Sequence, residues 1–144
     1  GIGRRCMSYI SKGVRKQVYE RVHYRCEYCQ TAQKVTAWIE IDHILPVALG
    51  GESDLANLCA SCHACNNQKS DAIEALDPAT NTVQKLFNPR QQEWDDHFQW
   101  DKIGITISGI TPTGRATVSQ LNMNRPEILA SRKMWVSVGW HPPK

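Results

Sequence analysis

Two side chains that could share a hydrolytic reaction stand next to each other at Asp42 and His43. A carboxylate is a hard ligand for a divalent cation, and a neutral imidazole, with an unperturbed pKa of about 6.5, can accept a proton from water at physiological pH. On a β-strand, neighbouring side chains point to opposite faces. One of the two can therefore meet a metal ion while the other meets a water molecule.

Two asparagines follow this pair. Pro46 and the pair Gly50-Gly51 interrupt any regular element after His43, which predicts a loop. Asn57 lies beyond that loop, and Asn66 comes directly after Cys65. An amide oxygen is a hard ligand like a carboxylate, so Asn66 is a second candidate for binding Mg²⁺ or Mn²⁺.

Four of the cysteines form two pairs with the spacing of zinc knuckles, Cys26-x-x-Cys29 and Cys62-x-x-Cys65. Each knuckle supplies two thiolates from a tight turn, and two knuckles complete a tetrahedron. We therefore predict a structural zinc ion that is distinct from the oxygen-bound ion. The spacing alone leaves the second knuckle open, because Cys59-x-x-Cys62 is also a pair and His63 is a spare ligand.

From Arg25 to Asp71 the chain resembles the HNH endonuclease family, through the Asp-His pair, the Asn before an apolar residue, and Cys-x-x-Cys-Asn-x-x-Lys. The third signature position is asparagine, so the resemblance is to the HNN variant. It implies a β-hairpin and a helix around a catalytic metal. It also implies that His43 is the general base, that Asp42 and Asn66 bind Mg²⁺ or Mn²⁺, and that Asn57 holds the catalytic loop.

Two further segments, Phe87 to Trp100 and Thr111 to Arg125, resemble less specifically the part that follows the nuclease core in stand-alone bacterial HNH proteins. The resemblance also implies DNA as the partner, single- or double-stranded. Lys69 and Arg25 are the candidate DNA contacts. Lys69 lies three residues after Asn66 and would share a helix face with it, although a solvated surface lysine is an equal alternative.

The expected fold class is α+β, with a ββα-metal core, zinc knuckles, an N-terminal helix and a C-terminal extension of strand and helices. Ser11 is a candidate cap for the first helix. The expected helices cover 12–23, a short segment that opens at Cys62 or Cys65, 113–121 and 126–135. The expected strands cover 35–41, a return strand within 52–57, and a segment through Ile103, Ile105 and Ile107.

Composition sets further limits. The chain has 144 residues with a formal net charge of +3, and its excess of cations lies on the motif side, in residues 1–70. No apolar run approaches the roughly 20 residues of a membrane helix. We interpret residues 1–6, including Cys6, as an expression remnant, 7–71 as the nuclease core, and 72–144 as an extension packed on it. The expected location is the cytoplasm.

These residues predict a metal-dependent endonuclease that hydrolyses DNA with one catalytic ion and a histidine base. Two other classes of protein remain open. One is a catalytically silent zinc-stabilised DNA-binding module, and the other is a zinc protein that docks to a larger complex.

Overall fold

The computed structural model describes residues 9–36 and 38–143, so the predictions for residues 1–6, including Cys6, lie outside the described residues. The fold is α+β. Its helices are α1 (Lys12–Glu20), α2 (Gln33–Thr36), α3 (His63–Lys69), α4 (Trp94–His97), α5 (Pro112–Gln120) and α6 (Pro126–Ser137). Its strands are β1 (Ile39–His43), β2 (Leu58–Cys62), β3 (Glu74–Asp77), β4 (Thr82–Lys85), β5 (Phe98–Trp100) and β6 (Ile107–Gly109).

Helix α1 closes one side of the core. Ser11 caps it as predicted, since the Ser11 hydroxyl accepts a hydrogen bond from the Val14 amide at 3.2 Å. Val18 is fully buried, and the helix ends at Glu20, earlier than predicted. Just beyond it, Arg21 donates hydrogen bonds to the carbonyl oxygens of Leu55 and Leu58. These bonds fix α1 to the start of β2.

Strands β1 and β2 and helix α3 form the ββα unit. The two strands pair antiparallel, with Asp42 opposite Cys59 and His43 opposite Leu58. The strand predicted over 35–41 begins later in the structure, because α2 occupies 33–36 and β1 starts at Ile39. Ala37 lies outside the described residues. The return strand was placed too early, since the loop runs to Asn57. Both strands still deliver the expected residues, because β1 ends at His43 and α3 follows β2 directly.

The C-terminal part contains two further hairpins and two helices. The hairpin of β3 and β4 was not predicted, because its strands alternate weakly and lie on the surface. The predicted strand through Ile103 is interrupted by a turn there, so β5 and β6 are short strands of a second hairpin. Helices α5 and α6 match their predictions closely, and Pro126 is the first residue of α6.

The C-terminal part packs on the first knuckle. The Trp94 indole Nε1–H donates to the Tyr28 carbonyl oxygen at 2.7 Å, and Arg90 forms an ion pair with Glu27. One apolar cluster runs through both parts of the chain, including Val18, Tyr28, Leu58, Phe87, Phe98, Ile107 and Leu121. In the part of the chain that the structure describes, no helix is long and apolar enough to cross a membrane.

The Trp94 bond gives a test of this packing. In Trp94→Phe the Tyr28 carbonyl loses its donor in a largely buried position, so we expect the free energy of unfolding to fall by about 1–3 kcal/mol. Trp140→Phe is the matched control, because Trp140 is 57% exposed. Urea unfolding of the zinc-loaded proteins measures both. Equal stability of the two variants would contradict the packing role of Trp94.

Candidate active site and metal centre

Cys26, Cys29, Cys62 and Cys65 bring their four sulfur atoms within 4.8 Å of one another, and all four residues are buried. A tetrahedral zinc site with Zn–S bonds of about 2.3 Å has sulfur atoms about 3.8 Å apart. The Sγ atoms of Cys29 and Cys62 lie 3.7 Å apart. Burial raises the pKa of the Cys26 thiol, whereas hydrogen bonds from the other three cysteines lower the pKa of Cys29, so a bound cation is what would keep all four sulfur atoms ionised together. The donor set therefore fits zinc.

Local backbone structure prepares each knuckle for a metal. The amide of Cys29 donates to the Cys26 sulfur at 3.5 Å, and the amide of Cys65 donates to the Cys62 sulfur at 3.4 Å. Between the knuckles, the Glu27 amide donates to the Ala60 carbonyl at 2.9 Å, and the Glu27 carboxylate accepts from the Ala60 amide at 2.8 Å. These bonds hold the first knuckle against β2.

The positions of Cys59 and His63 show that neither belongs to the four-sulfur cluster. The Cys59 sulfur approaches the Tyr28 hydroxyl at 3.5 Å and the Asp42 carboxylate at 3.8 Å, away from the four-sulfur cluster. His63 lies in the exposed first turn of α3, and its Nδ1 is 3.0 Å from Glu40. Within residues 9–36 and 38–143, the four cysteines are the one group of three or more cysteine, histidine or acidic side chains that could hold a metal.

Asp42 is buried, with 6% of its surface exposed. Its Oδ2 accepts a hydrogen bond from the Tyr28 hydroxyl at 3.0 Å and lies 3.1 Å from the Lys69 ammonium. Burial raises the pKa of Asp42, while the Lys69 charge and the two hydrogen bonds oppose that rise. Asp42 therefore relies on a nearby cation to stay ionised at this depth.

Asn66 faces the same strand one turn earlier along α3. Its Nδ2 donates to Glu40 Oε1 at 2.9 Å, and the other oxygen of Glu40 contacts His63. The hydrogen bond from Asn66 lowers the pKa of Glu40, and burial opposes this decrease. Glu40 was not among the site residues predicted from the sequence. Its spacing could have identified it, since Glu40 lies two residues before Asp42 and strand residues two apart share a face.

His43 points to a different partner from Asp42. Its Nε2 lies 2.8 Å from the Ser53 hydroxyl in the loop between the strands. Partial burial lowers the pKa of His43, with Asp42 raising it and Lys69 adding to the decrease. The imidazole is therefore neutral at physiological pH, which is the form that accepts a proton.

Asn57 ties down the loop that follows His43. Its Oδ1 accepts from the Leu45 amide at 2.8 Å, while its Nδ2 donates to the carbonyls of Leu45 at 2.9 Å and Glu52 at 2.8 Å. Gly51 is required beside it, because a Cβ there would lie 1.7 Å from the Leu45 carbonyl oxygen. The Asn57 amide thus fixes both ends of the loop that carries Ser53.

The two predicted DNA contacts lie in different surroundings. Lys69 is 2% exposed, and its ammonium also donates to the His43 carbonyl oxygen at 3.3 Å, so it faces the protein rather than a phosphate. Arg25 is half-buried in the first knuckle, where its backbone bridges to Ala32. In the described part of the chain no bond joins Arg25 to the face shared by β1 and α3.

Comparison with protein families agrees with this arrangement. The family model described as HNH endonuclease matches residues 26–72. Residues 26–72 are thus similar to the HNH endonuclease family. No curated protein and no solved structure has a significant match to the chain.

The matched region contains both knuckles, β1, β2 and α3, together with the loop between the strands. Every residue predicted for catalysis or metal binding falls inside it, as does Lys69, whereas Arg25 lies just before its first residue. The segment from 73 onward lies beyond the match. The family match supports a nuclease in general terms, and the four cysteines support a zinc site within it.

A metal analysis tests the assignment of the four ligands. We expect one zinc ion per chain in the wild type, and we expect Cys65→Ser to lose zinc together with its fold and solubility, because metal binding at such a site supplies folding energy. Cys59→Ser is the matched control, since Cys59 is equally buried but lies outside the cluster. It should keep its zinc, as measured by atomic absorption. A folded wild-type preparation without zinc would refute the four-thiolate site.

Proposed function

We propose that the chain is a metal-dependent endonuclease that hydrolyses DNA phosphodiester bonds with one divalent ion and His43 as the general base. One observation carries the proposal. Strand β1 and helix α3 bring the side chains of Asp42, Glu40 and Asn66 to a common face inside the region that matches the HNH family, and His43 follows Asp42 directly on β1.

The chemistry requires a proton acceptor for the attacking water. His43 fits that role because partial burial keeps its ring neutral and because Ser53 orients it through Nε2. The adjoining loop is held by Asn57, which limits movement of Ser53 relative to the ring.

The donors on the β1–α3 face fit a hard cation in kind. We assign Asp42 Oδ1 and the Asn66 amide oxygen as ligands of Mg²⁺ or Mn²⁺. Glu40 accepts from the Asn66 Nδ2, and that bond turns the amide oxygen away from Glu40. When bound, the ion would stabilise the charge that builds on the phosphoryl and leaving oxygens.

Lys69 has a part in this proposal that differs from simple DNA binding. Its ammonium neutralises Asp42 in the structure at 3.1 Å, so the arrival of a divalent ion would compete with it. In this proposal, an ammonium displaced from the carboxylate would become available to a phosphate oxygen. DNA itself would be held mainly through its phosphates, with Arg25 as a contact at the edge of the domain.

The same ion pair favours a second candidate function. If Lys69 holds Asp42 permanently, the carboxylate binds no divalent ion, and the domain is a catalytically silent zinc-stabilised module that binds DNA. The two functions differ in metal dependence. The nuclease needs added Mg²⁺ or Mn²⁺ even when zinc is fully loaded, while the silent module cuts under no condition.

Nicking of supercoiled plasmid by the dialysed, zinc-loaded protein separates the two. We expect nicking with added Mg²⁺ or Mn²⁺ and none without, because the oxygen donors, unlike the thiolates, select a hard ion. Cleavage without any added divalent ion would contradict the one-ion proposal. A protein that binds plasmid but leaves it uncut under every metal condition would support the silent module.

His43 is tested by His43→Asn, with His23→Asn as the matched control. His23 is exposed and has a positive φ of 54°, a conformation that asparagine tolerates. Removal of the proton acceptor should slow single-turnover cleavage by about 10² to 10⁴, while zinc content and DNA affinity in Ca²⁺ stay at the wild-type level. The control should cleave normally. A His43→Asn variant within a few-fold of wild type would remove His43 from the mechanism.

A further inference from the structure

Arg132 is a buried cation that the nuclease site does not use. It lies on α6 with 0% of its surface exposed. Its Nη1 donates to the Ile105 carbonyl at 2.9 Å and to Asn124 Oδ1 at 3.3 Å. Its Nε and Nη2 are buried and have no hydrogen-bond partner among the described residues. A buried guanidinium with two unpaired donors is costly unless a negative charge lies nearby.

No carboxylate supplies that charge, since none of the ion pairs among the described residues involves Arg132. The neighbouring groups lead instead to the first knuckle. The guanidinium lies over the Trp100 ring, 5.3 Å from its centroid, and Trp100 Nε1 is 3.4 Å from Oε1 of Gln30, the residue after Cys29. Burial lowers the pKa of Arg132, and the charges of Cys29, Cys65 and Cys62 oppose that decrease.

The charge balance of the zinc site completes the argument. Four thiolates around one Zn²⁺ carry a net charge of −2, and a buried charge of that size needs a cation or hydrogen-bond donors close by. The unpaired donors of Arg132 and the excess charge of the thiolates are complementary. We propose that Arg132 is the counter-cation of the four-thiolate zinc site and positions helix α6 on it.

His141 fits the same arrangement. Its ring is buried and packs against Trp100 and Trp135, with centroid distances of 4.7 Å and 5.9 Å. Burial lowers the pKa of His141, and the charge of Arg132 adds to the decrease, which brings the pKa to about 4. The ring is therefore neutral at physiological pH. Arg132 is then the cation that this aromatic enclosure presents to the thiolates.

This arrangement couples metal binding to the C-terminal part of the chain. Zinc and the thiolates stabilise the buried guanidinium, so by linkage the guanidinium strengthens zinc binding by the same factor. The coupling does not depend on the nuclease proposal. It concerns the structural zinc alone, and it holds whether or not the domain cleaves DNA.

The test compares Arg132→Met, Arg132→Lys and Lys133→Met. Lys133 is the matched control, because it is the next residue on α6 and is exposed. Zinc affinity is measured by competition with a chromogenic chelator, and the thiolate environment by the charge-transfer absorption of the Co²⁺-substituted proteins. We expect Arg132→Met to weaken zinc binding by about 10- to 100-fold and to change the Co²⁺ spectrum. Lys133→Met should match wild type in both.

Arg132→Lys separates charge from packing. It keeps the positive charge, so its zinc affinity should lie between those of Arg132→Met and the wild type. If Arg132→Met does not fold, the zinc affinity of Arg132→Lys relative to wild type is the test of the charge. Zinc affinity of Arg132→Met within two-fold of wild type would overturn the proposal. So would an Arg132→Lys variant that loses zinc as completely as Arg132→Met, because Arg132 would then act through its shape alone.

Discussion

The closure of four thiolates from two distant knuckles is the constraint on which the rest of the structure depends. Cys62 concentrates that dependence in one residue. It ends β2, caps α3 through a sulfur that accepts from the Cys65 amide, and belongs to the four-sulfur cluster. A metal that fixes Cys62 therefore fixes the angle between strand and helix, and with it the position of Asn66 and Lys69 over β1.

The candidate active site uses that fixed angle. Residues three apart on α3 share one face of the helix, and Glu40 and Asp42, two apart on β1, share one face of the strand. Each of these two strand residues therefore contacts one helix residue. Asn66 meets Glu40 and Lys69 meets Asp42. In the proposed function, the thiolate site supplies rigidity and the oxygen-rich face supplies the ligands of the catalytic ion. Separation of the two tasks explains why soft and hard donors lie on different sides of α3.

The predictions made from the sequence succeeded where residue chemistry is strict and failed where packing decides. The paired cysteines predicted a four-thiolate cluster and Ser11 predicted the start of α1, because sulfur ligands and capping oxygens have few substitutes. Spacing alone left Cys59 and His63 open as ligands, and their positions in the fold exclude them from the cluster. The burial of Lys69 could not be predicted from its spacing, since a lysine side chain is readily solvated at a protein surface. The beginning of β1 was misplaced because β-forming residues at 35 and 36 fold into the short helix α2.

The central claim is that an oxygen-donor site for a divalent ion lies beside a separate zinc site. The most direct test is to measure Mn²⁺ binding in the presence of a non-cleavable DNA oligonucleotide. Binding is detected as the loss of the electron paramagnetic resonance signal of the free ion. The account predicts one bound Mn²⁺ per zinc-loaded chain, no release of zinc, and loss of the Mn²⁺ in Asp42→Asn. Absence of Mn²⁺ binding by the wild type, or binding only with displacement of zinc, would contradict it.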